Sequence, residues 1–183
     1  DEIILSVMEH HANIVPWHFL RERQGIKLKW VDVDNNGALD PQAVIDSISS
    51  DTKLIAITHM SNVLGTKVDI KTICAHAHDL GVPVLVDGSQ SAVHMPVDVQ
   101  DLDADFVVFS GHKLFGPTGT GVLYGKYDLL MSLDPFIVGG STVETSTYEN
   151  HTMMLPPEKF EAGLQNYAGI IGLGEAIKYL ESI

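Results

Sequence analysis

Phe106-Val107-Val108-Phe109-Ser110-Gly111-His112-Lys113-Leu114-Phe115-Gly116-Pro117-Thr118-Gly119-Thr120-Gly121-Val122-Leu123-Tyr124 decides how the rest of the chain is read. It begins with a short, continuous apolar run, the pattern of a strand covered on both faces as in a parallel sheet. The run ends in a glycine- and proline-rich turn that carries His112 and Lys113, and an extended stretch resumes at Thr120. So short a link cannot hold the crossover that a parallel partner needs. The spacing therefore predicts that Thr120–Tyr124 pairs antiparallel.

Upstream the same pattern recurs. Ile3–Val7, Lys53–Thr58 and Val84-Leu85-Val86 read as strands, and Ile26 to Val33 alternates, with Ile26, Leu28 and Trp30 opposite Lys27 and Lys29. Helical periods separate them. One runs through Trp17, Phe19 and Leu20 to Gly25. After the turn Asp34-Asn35-Asn36-Gly37, Asp40-Pro41 caps and opens a second, carrying Val44, Ile45 and Ile48. Asp69 caps a third, where Ile70, Ile73, Ala77 and Leu80 keep the 3.6 period and Gly81 ends it. Residues 134–157, with Gly139-Gly140, Pro156-Pro157 and many hydroxyls, read as a long functional or interface loop. The fold class is α/β, a mostly parallel sheet with flanking helices and one antiparallel strand.

Composition narrows the function. With 24 acidic against 11 basic side chains the net charge is −13, which repels nucleic acid and anionic membranes as main partners. Apolar residues are 45% of 183, enough for one domain's core, and no apolar run reaches the roughly 18 residues of a membrane span. The single cysteine excludes an internal disulfide and zinc or iron–sulfur sites built from this chain's cysteines, which suits a reducing cytoplasm. The chain opens on a strand and closes on the amphipathic Ala176–Ile183, so it is expected to be a segment of a longer protein.

In open α/β sheets ligands bind beyond the carboxyl ends of the strands. Met8-Glu9-His10-His11, His59-Met60-Ser61-Asn62, Asp87-Gly88-Ser89-Gln90 and Ser110-Gly111-His112-Lys113 all fall there. A lysine at the mouth of an apolar site loses hydration and becomes a nucleophilic amine able to form a Schiff base; the alternative is a surface lysine that snorkels past the strand end. Asp87 places a carboxylate against an apolar floor, where it needs a cation or several donors. Its alternative role is to cap a short helix at Ser89-Gln90-Ser91. A Schiff-base lysine and an aspartate together fit pyridoxal phosphate (PLP), whose protonated ring nitrogen takes an anionic partner. His10, His11, His59 and His112 admit a metal reading but lack HExxH or zinc-type spacing, so no metal is expected. His76 and His78 do not share a helix face and read as solvated, and Cys74 falls on the apolar stripe as an inert thiol. No GxGxxG follows the first strand, which speaks against a dinucleotide site.

Four segments carry a family resemblance: Glu9-His10-His11-Ala12-Asn13-Ile14-Val15-Pro16-Trp17, Thr58-His59-Met60-Ser61-Asn62-Val63-Leu64-Gly65, Leu85-Val86-Asp87-Gly88-Ser89-Gln90 and Ser110–Gly119. With these, over nearly its whole length, the sequence resembles the class V, fold-type I PLP enzymes, and among them the Suf-type cysteine desulfurases and selenocysteine lyases. The resemblance implies a PLP-transferase large domain, with residues 1–183 its central part and an N-terminal segment and a C-terminal small domain outside the chain. It implies that Lys113 holds PLP and moves protons at the substrate carbon, and that His10 stacks on the ring. Asp87 would pair with the ring nitrogen, Gln90 with the ring hydroxyl and Asn62 with the substrate or ring-oxygen side, while Ser110 and His112 would bind the phosphate.

The activity so implied is removal of sulfur from L-cysteine, or selenium from L-selenocysteine, by a homodimer. Alanine is left, and a persulfide passes to an acceptor protein for iron–sulfur cluster assembly. The persulfide-forming cysteine is expected outside this chain, so the segment by itself should bind PLP weakly and release no sulfide. Another class V enzyme, an aminotransferase or kynureninase-like hydrolase, is the alternative, as is a catalytically silent scaffold of the same fold. The sequence departs from the family pattern after Glu161-Ala162-Gly163, where Leu164-Gln165 replace a threonine that in many relatives reaches the neighbouring subunit's phosphate.

Overall fold

Each apolar run becomes a strand in the computed structural model, which describes residues 1–183. The strands are β1 (Glu2–Ser6), β2 (Lys27–Val31), β3 (Thr52–Thr58), β4 (Val84–Asp87), β5 (Phe106–Ser110) and β6 (Gly121–Gly125). They form a 6-stranded sheet in the order β2-β1-β3-β4-β5-β6. The first five run parallel, and β6 lies antiparallel against β5 with Val107 opposite Tyr124. The short Gly/Pro link therefore has the predicted effect. The chain steps outward from β1 to β2 and then returns past β1 to lay down β3, so the strand order reverses between β1 and β3. Such a reversal opens a crevice at the carboxyl ends of those two strands.

The helices are α1 (Val15–Gln24), α2 (Pro41–Asp46), α3 (Ile70–Asp79), α4 (Ser91–His94), α5 (Val99–Leu102), α6 (Tyr127–Ser132) and α7 (Tyr167–Glu181). Their ends follow the sequence signals. Asp40 accepts from the Gln42 N–H and Asp69 from the Thr72 N–H, and α1 stops where Gly25 takes φ 73°. On one face of the sheet Ile4, Ile55, Ile57, Val84, Val86 and Val107 pack against Val44, Ile70, Ile73 and Ala77 of α2 and α3. The other face buries Ile3, Leu5 and Ala56 under Trp17, Ile26, Leu28 and Leu85. Ile55 and Ile57 are fully buried, each contributing about 1.5–3 kcal/mol, which fixes β3 as the central strand.

Three expectations are corrected. The alternation of β2 is mixed: Val31, on the lysine side, is the buried residue, while Trp30 is exposed and meets His18 edge-on. Residues 134–157 are not all loop, because β7 (Val143–Ser146) and β8 (His151–Met153) form an antiparallel hairpin. Its β-branched Val143, Thr145 and Thr152 favour extended backbone, and Thr147 closes the turn through Asn150. His78 is not solvated. It bridges Asp103 and Asp105, which lie 25 and 27 residues away and reach it only once α3 packs beside the start of β5.

Candidate active site

Parallel order brings the ends of β1, β3, β4 and β5 to one edge, and every site residue predicted from sequence lies there. His10 follows β1 and Asn62 follows β3. Asp87 ends β4 with Gln90 just beyond it, and Ser110 ends β5 with His112 and Lys113 in the 3-10 turn Gly111–Leu114. Register places Thr58 of β3 beside Asp87, and Asp87 beside Val108.

His10 and Asn62 share a crevice of about 510 Å³ at the β1/β3 reversal, lined also by Met8, His11, Ser61 and Leu64. Asp87, Gln90, Ser110, His112 and Lys113 do not line it; they continue the rim over β4 and β5. Asp87 is buried, and its Oδ1 accepts the Ser89 N–H at 2.9 Å. It does not cap α4, whose N-cap Gln90 makes no side-chain bond. None of the chain's ion pairs includes Asp87 or Lys113. A buried carboxylate and a half-buried amine, each without an internal counter-charge, thus stand at the ends of neighbouring strands.

The Lys113 turn is held tightly. A Cβ on Gly111 would collide with Thr120 Oγ1, and one on Gly116 would lie 2.8 Å from Leu173 of α7 and 2.9 Å from the Gly111 carbonyl. Between them Phe115 takes φ 58° and is 69% exposed. A bulky residue in the left-handed region costs about 1–3 kcal/mol, and such strain clusters at functional turns.

The crevice side rests on a residue to which sequence reasoning gave no role. Glu9 is buried, and its Oε1 accepts the Thr58 N–H at 3.0 Å and the Ser6 hydroxyl. Its Oε2 accepts from Asn13 Nδ2 at 2.8 Å. Burial pushes the Glu9 carboxyl above its usual 4.5; these hydrogen bonds pull it back and the charge of Asp87 adds to the rise. Glu9 sits inside the quoted motif, and an acidic residue just past the end of an apolar strand was the signal available for it. The histidines named as a metal set do not converge, because no three His, Cys, Asp or Glu side chains form a metal-holding group. His59 is buried with Nδ1 unpartnered, and burial lowers its pKa. Cys74 is fully buried, and burial, with Asp105 and Asp103 adding, pushes its thiol up to about 12. No helix is long and apolar enough to cross a membrane.

A sheet of this order with an aspartate and a lysine on one rim is the frame of a fold-type I enzyme, and the chain belongs to the class-V aminotransferase family, whose model matches residues 1–183. It is 50% identical over 184 residues to a cysteine desulfurase of Shigella sonnei, covering all of this chain and 45% of that protein. It superposes with a TM-score of 0.96, at 44% identity, on the crystal structure of the cysteine desulfurase CsdA (S-sulfonic acid) from Escherichia coli, covering 100% of this chain and 46% of that one. A C-DES mutant with glycine covalently linked to its PLP cofactor matches with a TM-score of 0.89 at 27% identity, over 100% of this chain and 49% of that one. The chain thus spans about half the length of the proteins it matches.

Proposed function

We propose that this chain is the cofactor-binding part of the large domain of a PLP-dependent cysteine desulfurase. The full-length enzyme takes sulfur from L-cysteine, leaves alanine and places the sulfur on a cysteine thiol as a persulfide. The observation that carries this reading is the pair Asp87 and Lys113, unpaired by any side chain of the chain and set at adjacent strand ends. A buried carboxylate without a cation suits a protonated ring nitrogen, and a free amine suits an aldehyde, so the donor set fits PLP. When bound, that cofactor withdraws electrons from the substrate carbon.

The residues divide the remaining work. Asp87 would hold a proton on the ring nitrogen, and Lys113 would anchor the cofactor through Nζ and carry a proton to and from the substrate carbon. His10, its Nδ1 tied to the Ala12 N–H at 3.1 Å, would stack on the ring face. Asn62 would hydrogen-bond the substrate or ring-oxygen side from the crevice, Gln90 would meet the ring hydroxyl, and Ser110 and His112 would hold the phosphate. Cys74 cannot take the sulfur, so the accepting thiol is assigned outside residues 1–183. The working form is a cytoplasmic homodimer that passes sulfur to an acceptor protein for iron–sulfur cluster assembly. The 47% to 50% identities are to proteins named for sulfur rather than selenium, which favours L-cysteine. Incubating the full-length, PLP-loaded protein with L-cysteine and a thiol reductant should yield alanine and sulfide in equal amounts. Pyruvate or keto-acid formation without alanine would reject the desulfurase reading.

A further inference from the structure

We propose that Glu9 is the positioning residue for His10, locking the turn that carries it through a hydrogen-bond chain whose direction is fixed at both ends. The proposal rests on the reading that His10 stands against the cofactor ring.

The chain of bonds can run only one way. An indole N–H is a donor and never an acceptor. Trp17 Nε1 donates to Asn13 Oδ1 at 3.1 Å, which obliges the Asn13 amide to turn its NH₂ towards Glu9. Glu9 Oε2 accepts from it at 2.8 Å. At the other end the Thr58 backbone N–H, also a donor only, meets Glu9 Oε1 at 3.0 Å beside the Ser6 hydroxyl. Both oxygens of Glu9 must therefore accept, so an amide cannot replace the carboxylate.

What this holds is the His10 turn. Ser6 ends β1, Thr58 ends β3, and Asn13 and Trp17 lead into and lie on α1, so one side chain ties three elements around His10. The turn completes the grip from the other side: the Asn13 N–H donates to the His10 carbonyl at 2.8 Å, and the Ala12 N–H donates to His10 Nδ1 at 3.1 Å. His10 itself is exposed on the crevice, while Glu9 is only 7% exposed behind it. A buried carboxylate with no cation beside it is costly to fold around, and its three donors go to the segments that aim His10. With both oxygens occupied, Glu9 acts through His10 and not on the substrate.

The test uses the full-length, PLP-loaded protein, read by steady-state kinetics and by the visible circular dichroism of the bound cofactor, which reports ring tilt. Glu9→Gln sets an NH₂ against the Asn13 NH₂ and should lower kcat about tenfold, change the dichroism, and leave KM for L-cysteine within about twofold. In a His10→Ala background the same change should cost less than about twofold, because its effect passes through His10. Adding Trp17→Phe to Glu9→Gln frees the Asn13 amide to flip and should recover about threefold or more.

Wild-type kcat and dichroism in Glu9→Gln, alongside a defective His10→Ala, would overturn the role of Glu9 alone. An undiminished Glu9→Gln loss in the His10→Ala background would do the same. A His10→Ala variant normal in both readouts would instead overturn the placement of His10, and the proposal with it. If Glu9→Gln does not accumulate folded, Asn13→Ala carries the same cycle, with a loss of about threefold that must vanish without His10.

Discussion

His78 Nε2 lies 2.8 Å from Asp105 Oδ2, the same oxygen that accepts the Val84 N–H at 2.7 Å, so α3 and the start of β4 share one buried carboxylate. Lys126 joins from the start of α6, at 3.0 Å from Asp105 Oδ1 and 2.6 Å from Asp103 Oδ1. This cluster pins the amino ends of β4 and β5, at the opposite end of the sheet from Lys113.

The cluster makes stability depend on acid. The Lys126 hydrogen bond foremost, with the charges of Lys126 and His78 behind it, holds the Asp103 carboxyl below its usual 3.8. A carboxyl depressed in the native state contributes stability that is complete above its unfolded pKa and is lost as pH falls through the native one. Urea midpoints should therefore fall more steeply below about pH 4 in the wild type than in Asp103→Asn. The Asp103 side chain is 60% exposed, so solvent screening keeps the difference under about 1 kcal/mol. Parallel pH profiles for the two proteins would remove Asp103 from the account.

Lys113 should be the residue that carries PLP. Borohydride reduction of the loaded full-length protein, followed by peptide mass mapping, should put the pyridoxyl group on the Lys113 peptide. Lys113→Ala should lower turnover by about a thousandfold or more. An adduct confined to Lys53 or Lys126 would refute the assignment.

Cys74 should be silent. A fully buried thiol raised to about 12 should resist alkylation in the native protein and react only after denaturation. Cys74→Ala should cost about 1–2 kcal/mol of stability through the cavity it leaves, with sulfide release unchanged. Turnover abolished by Cys74→Ala, with the fold intact, would show that the accepting thiol lies in this chain after all.

The full-length protein should be a two-fold homodimer. Phe136 is 99% exposed and Ile137 and Val138 are each 63% exposed, next to the long segment from Gly139 to Glu161. A second copy would cover this apolar stretch and bring the segment near the partner's phosphate site. Light scattering should give a dimer at working concentration, and Phe136→Asp should shift it towards monomer. A monomer in the wild type would reject the arrangement.

Sequence made the sheet legible because burial on both faces leaves runs such as Ile55-Ala56-Ile57, and because Asp40 and Asp69 mark helix starts by local hydrogen bonds. Position along the chain also placed His10, Asn62, Asp87 and Lys113 at strand ends. What stayed hidden depended on long-range adjacency. The Glu9–Thr58 bond spans 49 residues and exists only because β3 returns beside β1. The partners of His78 lie 25 and 27 residues away, and the strands of the Val143–Met153 hairpin are too short and too polar to stand out from loop.

The return of the chain past β1 to lay down β3 also sets an order for biosynthesis. As the ribosome releases the chain, β1 and β2 have no completed crevice, and Glu9 stays without its Thr58 partner until β3 emerges. Asp87 and Lys113 follow in turn, so this rim is laid down in the chain order β1, β3, β4, β5. Until then the apolar faces of β3 and β4 are open to wrong partners, the hazard of slow parallel pairing. A chain that holds the cofactor through both Asp87 and Lys113 must therefore have brought β4 and β5 side by side.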